Sequence, residues 1–175
     1  MTVREVFSLL GLLVLPGFLL LALLLQVTVV DLIRIKGVVP DLIFLLVVFY
    51  AFWRGQREGA FWGFVAGLMK DFVTGNYFGL NALSTAVAGY LVGWSETRLY
   101  KDSSLVVAAL TFLATLISQL VYYLLLVYLQ IKISLGLALF GVILPSAVYN
   151  ALLVPFFYRK FYRLYLRGWF RMGQF

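Results

Sequence analysis

The sequence predicts an all-helical polytopic membrane protein, a bundle of about six transmembrane helices in a single domain covering residues 1–175. Three observations predict it. Hydrophobic residues make up 64% of the chain and charged residues 12%, whereas soluble domains run about half apolar and a quarter charged. Mean hydropathy is +1.03. Apolar runs of spanning or near-spanning length follow one another with only short polar breaks.

The elements follow in order. A helix needs roughly 20 apolar residues to cross the hydrocarbon core, and residues 6–30 satisfy this, with Pro16-Gly17 as a kink. Arg4 before an apolar run resembles a signal peptide, but the run is too long and lacks a small-residue cleavage site, so it reads as a retained anchor. The next three spans, 37–53, 59–73 and 78–94, are short, and the first reaches about 25 Å only if it begins near Gly37. Tight links at 54–58 and 74–77, the latter with a Gly75-Asn76 turn signal, make these helices antiparallel neighbours. Two full-length spans follow, 103–129 and 133–158, the last kinked at Pro145 and Pro155. Residues 159–175 form a basic tail.

The net charge of +7 belongs with this topology and not with nucleic acid. With six spans, ten of the fourteen Lys and Arg residues fall on the side of both termini: Arg4, Arg54, Arg57, Arg98, Lys101 and five in the tail. Arg34, Lys36, Lys70 and Lys132 fall on the other. The positive-inside rule therefore places both termini in the cytoplasm. The chain has no cysteine and no histidine, which removes thiol nucleophiles, disulfides, His-based triads and zinc sites of the usual ligands. We expect no cofactor, no metal and no catalytic residue.

Glycines recur every fourth residue at Gly55, Gly59, Gly63, Gly67, Gly75 and Gly79, with Asp71 in the missing slot, and Gly89-x-x-x-Gly93 repeats the device. A small-xxx-small ridge lets helices approach closely where no hydrophobic force drives them together. The ridge serves packing inside the bundle or forms a groove for a partner's helix. The shortness of these spans, and the few polar groups on them, lead us to expect a docking groove at Gly63 and Gly67.

Asp41 follows Pro40 at a helix start, where proline fits the first turn and a carboxylate suits the positive dipole end. Asp71 falls at a helix C-terminus, where the dipole disfavours it, and a mid-membrane Asp costs about 2.5–3.5 kcal/mol. It therefore calls for a partner among Lys70, Lys36, Arg34 and Asn81. An intramembrane aspartyl protease is excluded by context, since Asp71 stands in Gly67-Leu68-Met69-Lys70-Asp71 without the Gly-x-Gly-Asp arrangement. Gln119 and Asn150 are polar positions within the last two spans and read as interhelical glue. In the tail, Arg159, Lys160, Arg163, Arg167 and Arg171 supply a cationic face, with Phe161, Tyr165 and Trp169 opposite. That pattern predicts a helix lying on an anionic leaflet.

Pro40-Asp41-Leu42, then Gly63-x-x-x-Gly67-x-x-x-Asp71, then Gly75-x-x-x-Gly79-Leu80-x-Ala82-Leu83, and finally Pro145-Ser146-x-x-x-Asn150-x-x-x-x-Pro155 with a basic tail, resemble the rod shape-determining protein MreD family. Lys70 departs from that pattern, where the family has an apolar residue. The resemblance implies a non-catalytic bacterial inner-membrane scaffold of the cell-elongation machinery. It implies as partners the bitopic protein MreC, the actin-like MreB filament, and the elongation transglycosylase and transpeptidase. It also implies a fold like the six-helix substrate-binding subunit of energy-coupling vitamin transporters. A small-molecule-binding importer subunit is accordingly the alternative function.

Overall fold

A computed structural model of the chain describes residues 3–28, 34, 37–75, 77–96 and 103–166, with side chains from Leu15 to Arg163. Among the described residues there are six helices and no strand. They are α1 (Val3–Thr28), α2 (Leu42–Arg54), α3 (Gln56–Thr74), α4 (Leu80–Trp94), α5 (Ser104–Tyr128) and α6. α6 is one continuous helix made of Leu135–Ala138, a π-helical turn at Leu139–Ile143, and Leu144–Leu166.

Two helical stretches, Ser104–Tyr128 and Leu135–Arg163, are long and apolar enough to cross a membrane. α2 is the central element. Nine of its 13 residues are buried, and Val48, Ala51 and Phe52 are fully covered. It begins at Leu42 and not near Gly37, because Asp41 caps it and residues 37–41 are non-helical. Pro40 therefore precedes the cap and does not occupy the first helical turn. At about 20 Å, α2 is well short of a 30 Å hydrocarbon core.

The turn between α2 and α3 is a single residue. Gly55 has φ 89° and ψ −178°, a conformation essentially reserved for glycine, and its N–H donates to the Ala51 carbonyl. α3 consequently starts at Gln56, earlier than the expected 59, and is 19 residues long. Arg54 and Glu58 pair across this turn at 2.7 Å, and the Tyr50 hydroxyl donates to the same carboxylate at 2.7 Å.

α3 and α4 form the most intimate pair, along the glycine ridge. A Cβ at Gly63 would lie 2.6 Å from the Thr85 carbonyl oxygen, and one at Gly67 would run into the Ala82 and Asn81 backbone. Gly59 meets Gly89 and Gly93 meets Gly55 and Gln56 in the same way. The expected docking groove at Gly63 and Gly67 is thus corrected: α4 fills it, because backbone-to-backbone packing is available within the chain.

Pro145 is accommodated by the π turn before it. Proline offers no N–H and its ring crowds the carbonyl four residues back. The widened turn, in which the Leu144 N–H reaches the Leu139 carbonyl, precedes the break. α6 then runs on through Pro155. The first residues of the tail continue this helix, and Phe161 is only 5% exposed, packed on Phe49 at 5.5 Å. Phe161, expected on the apolar face of a helix lying on the membrane surface, belongs instead to the bundle core.

The exposed surface is rich in large apolar side chains, such as Leu105, Leu113 and Leu124 of α5 and Phe140 and Leu152 of α6. The buried polar residues include Asp71, Ser84, Thr85, Thr111, Thr115, Ser118, Ser146 and Asn150.

Candidate functional site

Several of these polar residues gather toward one end of the bundle: Ser84, Thr115, Ser118 and Asn150 line a common space with Asp41, Lys70 and Asn81, and Asp71 bonds that Asn81. The α3 C-terminus is closed by Gly75, in the left-handed region with φ 66°, whose N–H donates to the Asp71 carbonyl at 3.0 Å. Eight residues beyond Asp71, α4 begins with Gly79 as its N-cap, φ 92°, a residue with no side chain to cap anything. The Asp71 carboxylate does the capping instead. Oδ2 accepts from the Gly79 N–H at 2.9 Å and the Ala82 N–H at 3.1 Å, while Oδ1 accepts from the Asn81 N–H at 3.2 Å and its Nδ2 at 2.9 Å. The side chain of Asp71 is fully buried.

Of the four candidate partners that the sequence offered for Asp71, the bonded one is the amide. Asn81 is a partner, but Lys70 is not. The balancing charge is the positive end of the α4 dipole, delivered through three backbone N–H groups. The dipole argument that set Asp71 against its own helix is outweighed by the next helix folding back on it. Lys36 lies outside the described residues, and Arg34 is not among the groups bonded to Asp71.

Lys70 faces the other acidic residue. Its Nζ pairs with Asp41 Oδ2 at 2.5 Å, while Asp41 Oδ1 accepts the Phe44 N–H at 2.9 Å as the N-cap of α2. The side chains of Lys70 and Asp41 are 19% and 17% exposed, so the pair is largely shielded.

Two amides clamp the non-helical backbone in front of α2. Asn150 of α6, 1% exposed, accepts from the Asp41 N–H at 2.8 Å and donates to Thr115 Oγ1 of α5 at 3.4 Å. Gln26 of α1 donates to the Pro40 carbonyl at 2.7 Å and accepts from the Leu42 N–H at 2.9 Å. Every group of the Pro40–Leu42 backbone named here is a polar atom that would otherwise be costly away from water. Gln26 was missed by sequence reasoning, although it is the lone polar residue between Leu9 and Val27. Glu58 was missed too, its signal being the four-residue spacing from Arg54.

Of the residues singled out from sequence, Pro40, Asp41, Asp71, Gly75, Gly79, Asn81 and Asn150 are thus brought together. Gln119 and Ser146 line the adjoining space. A cleft of about 300 Å³ opens here, lined by Val38, Val73 and Val142 together with Gln26, Asp41, Lys70 and Asn150. Gly63 and Gly67 lie apart from it, against α4. Arg159, Lys160 and Arg163 are exposed along the end of α6, and Arg167 and Arg171 lie outside the described residues. Among the described residues no cluster of three metal-ligating side chains occurs.

The chemistry of this arrangement is structural. Both carboxylates accept bonds that hold helix ends, and the amides tie α1, α2, α5 and α6 to the same point. A family model described as rod shape-determining protein MreD matches residues 7–166. The chain belongs to the MreD family. That assigns it to a membrane protein family concerned with rod-shape determination. No curated protein and no solved structure matches the chain significantly. In this MreD family member Lys70 has a definite partner, and it is Asp41 rather than Asp71.

Proposed function

We propose that this MreD family protein is a non-catalytic, six-span inner-membrane scaffold of the cell-elongation machinery, with both termini cytoplasmic. In this reading it associates with an MreC-like bitopic protein, and through it with the MreB filament and the elongation transglycosylase and transpeptidase. It thereby helps organise lateral peptidoglycan synthesis, while its basic tail rests on anionic lipid.

The observation that carries the reading is the use made of Asp71. Among the described residues Asp71 is the one fully buried carboxylate, and it is spent on capping α4, with all of its described bonds to backbone and amide donors. A general acid or base needs a group facing a substrate, and here the carboxylate faces a helix end. The apolar exterior and the bonded polar groups within the bundle supply further support, because in lipid the polar groups must find partners inside. The partner's contact surface falls to the exposed apolar faces and to the rim of the cleft, since the glycine ridge is occupied.

Complementation tests this directly. Expressed in a rod-shaped bacterium depleted of its own MreD protein, the chain should restore rods and recover the MreC-like protein on gentle purification. Round cells with a well-folded, membrane-inserted protein would refute the role.

A second reading has one observation in its favour. The cleft of about 300 Å³ beside Asp41 and Lys70 has the size and the mix of apolar wall and convergent polar groups that small ligands use. A small-molecule-binding importer subunit, with a fold like the substrate-binding subunit of energy-coupling vitamin transporters, would retain its ligand through purification. Native mass spectrometry showing a stoichiometric small molecule, without any bitopic partner, would favour it.

A further inference from the structure

Along α2, from Leu42 to Phe49, the described helices leave an apolar groove of about 240 Å³ between α1 and α6. Its floor is Leu45 and Phe49 of α2, 2% and 1% exposed. Its walls are Leu21 and Leu25 of α1, 52% and 40% exposed, and Phe157 of α6, 44% exposed. One lining residue is charged, Lys160, and it stands at the groove's end among the exposed Arg159 and Arg163. Among the described residues no carboxylate pairs with Lys160.

Shape and charge select the occupant. A helix is about 10–12 Å across and needs an open face of matching width to dock. Helices also dock in lipid through small residues that bring backbones together, and these walls are Leu and Phe. A narrow slot between fixed large side chains suits a thin, flexible hydrocarbon chain, which gains dispersion contact with both walls. The unpaired cation at the mouth suits a phosphate at the level of the headgroups. We propose that this groove holds an acyl chain of one anionic phospholipid, drawn from the leaflet at the Lys160 end, with its phosphate at Lys160.

The full-length protein, reconstituted in nanodiscs of equal phosphatidylglycerol and phosphatidylcholine and released into mild detergent, is then weighed by native mass spectrometry. One phosphatidylglycerol should remain bound per chain, preferred over phosphatidylcholine. Lys160→Gln, an exposed surface change, should reduce that preference by about fivefold, the effect of one Lys near an anionic surface. Leu21→Trp, on the half-exposed rim, should abolish retention of either lipid with the melting temperature unchanged. A photo-reactive side chain at Leu25 should label lipid in native membranes. Wild-type protein without retained lipid, a preference indifferent to Lys160→Gln, retention surviving Leu21→Trp, or a protein adduct at Leu25 would each overturn the assignment.

Discussion

Asp71 ends one helix and begins the next, its carbonyl closing α3 and its carboxylate opening α4. Replacement by Asn keeps the volume but leaves an NH₂ facing two donors that have lost their acceptor, either Gly79 and Ala82 or the two groups of Asn81. A lost cap costs about 0.5–2 kcal/mol and an unsatisfied buried donor about 1–3 kcal/mol. We therefore expect Asp71→Asn to lower stability by about 2–4 kcal/mol, and Asp71→Leu by more, both read as earlier thermal unfolding in detergent. Asn indistinguishable from wild type in stability yet null for rod shape would make the charge itself functional. The Lys70–Asp41 pair is shielded, so a double-mutant cycle with Lys70→Met and Asp41→Asn should return a coupling of about 1–3 kcal/mol, above the exposed-pair range. A coupling near zero would reduce the pair to a surface contact.

At the scale of elements, α3 and α4 stand or fall together. Their ridge brings backbones into contact at Gly59, Gly63, Gly67 and Gly89, and no side chain fits between them. Gly67→Leu should thus destabilise the protein itself, with recovery of any bitopic partner falling in proportion to the folded fraction. A normal melting temperature with selective partner loss would restore the docking groove that the sequence suggested. At the other end, α6 is anchored through Tyr158 and Phe161 on Phe49, at 5.4 and 5.5 Å, before its basic face emerges. Reversing Arg163 and Arg167 to Glu should weaken binding of the tail to anionic vesicles without shifting the melting temperature, because that aromatic anchor is untouched. Tail protection that stays the same and is insensitive to salt would count against a membrane-surface role.

For the whole molecule, the six-span arrangement makes a topology prediction that a cysteine-free chain tests cleanly. A cysteine at Gln56 should be shielded from an impermeant thiol reagent in intact cells, and one at Lys132 should react. Lys132 is the better outer site than its neighbour Gln130, whose φ of 60° strains most side chains. The reverse pattern would invert the orientation. Composition and apolar run length alone determined that the chain is helical and lipid-facing, since those are sums over residues and need no partner. They also placed α5 to within a residue at each end. The glycine ridge was equally legible as a feature, but its occupant was not, because a small-residue face carries no record of whether α4 or another chain covers it. Asn81 stood among the candidate partners of Asp71, but the other pairings at the polar end were illegible for the same reason. Lys70 adjoins Asp71 in sequence, yet successive helical residues point about 100° apart, so the two side chains serve different neighbours. Only the folding back of α4 delivered its N–H groups to Asp71, and only the approach of α1 and α6 brought Gln26 and Asn150 to the Pro40–Leu42 backbone. Partners fourteen to more than a hundred residues apart are set by tertiary packing, which local pattern does not encode.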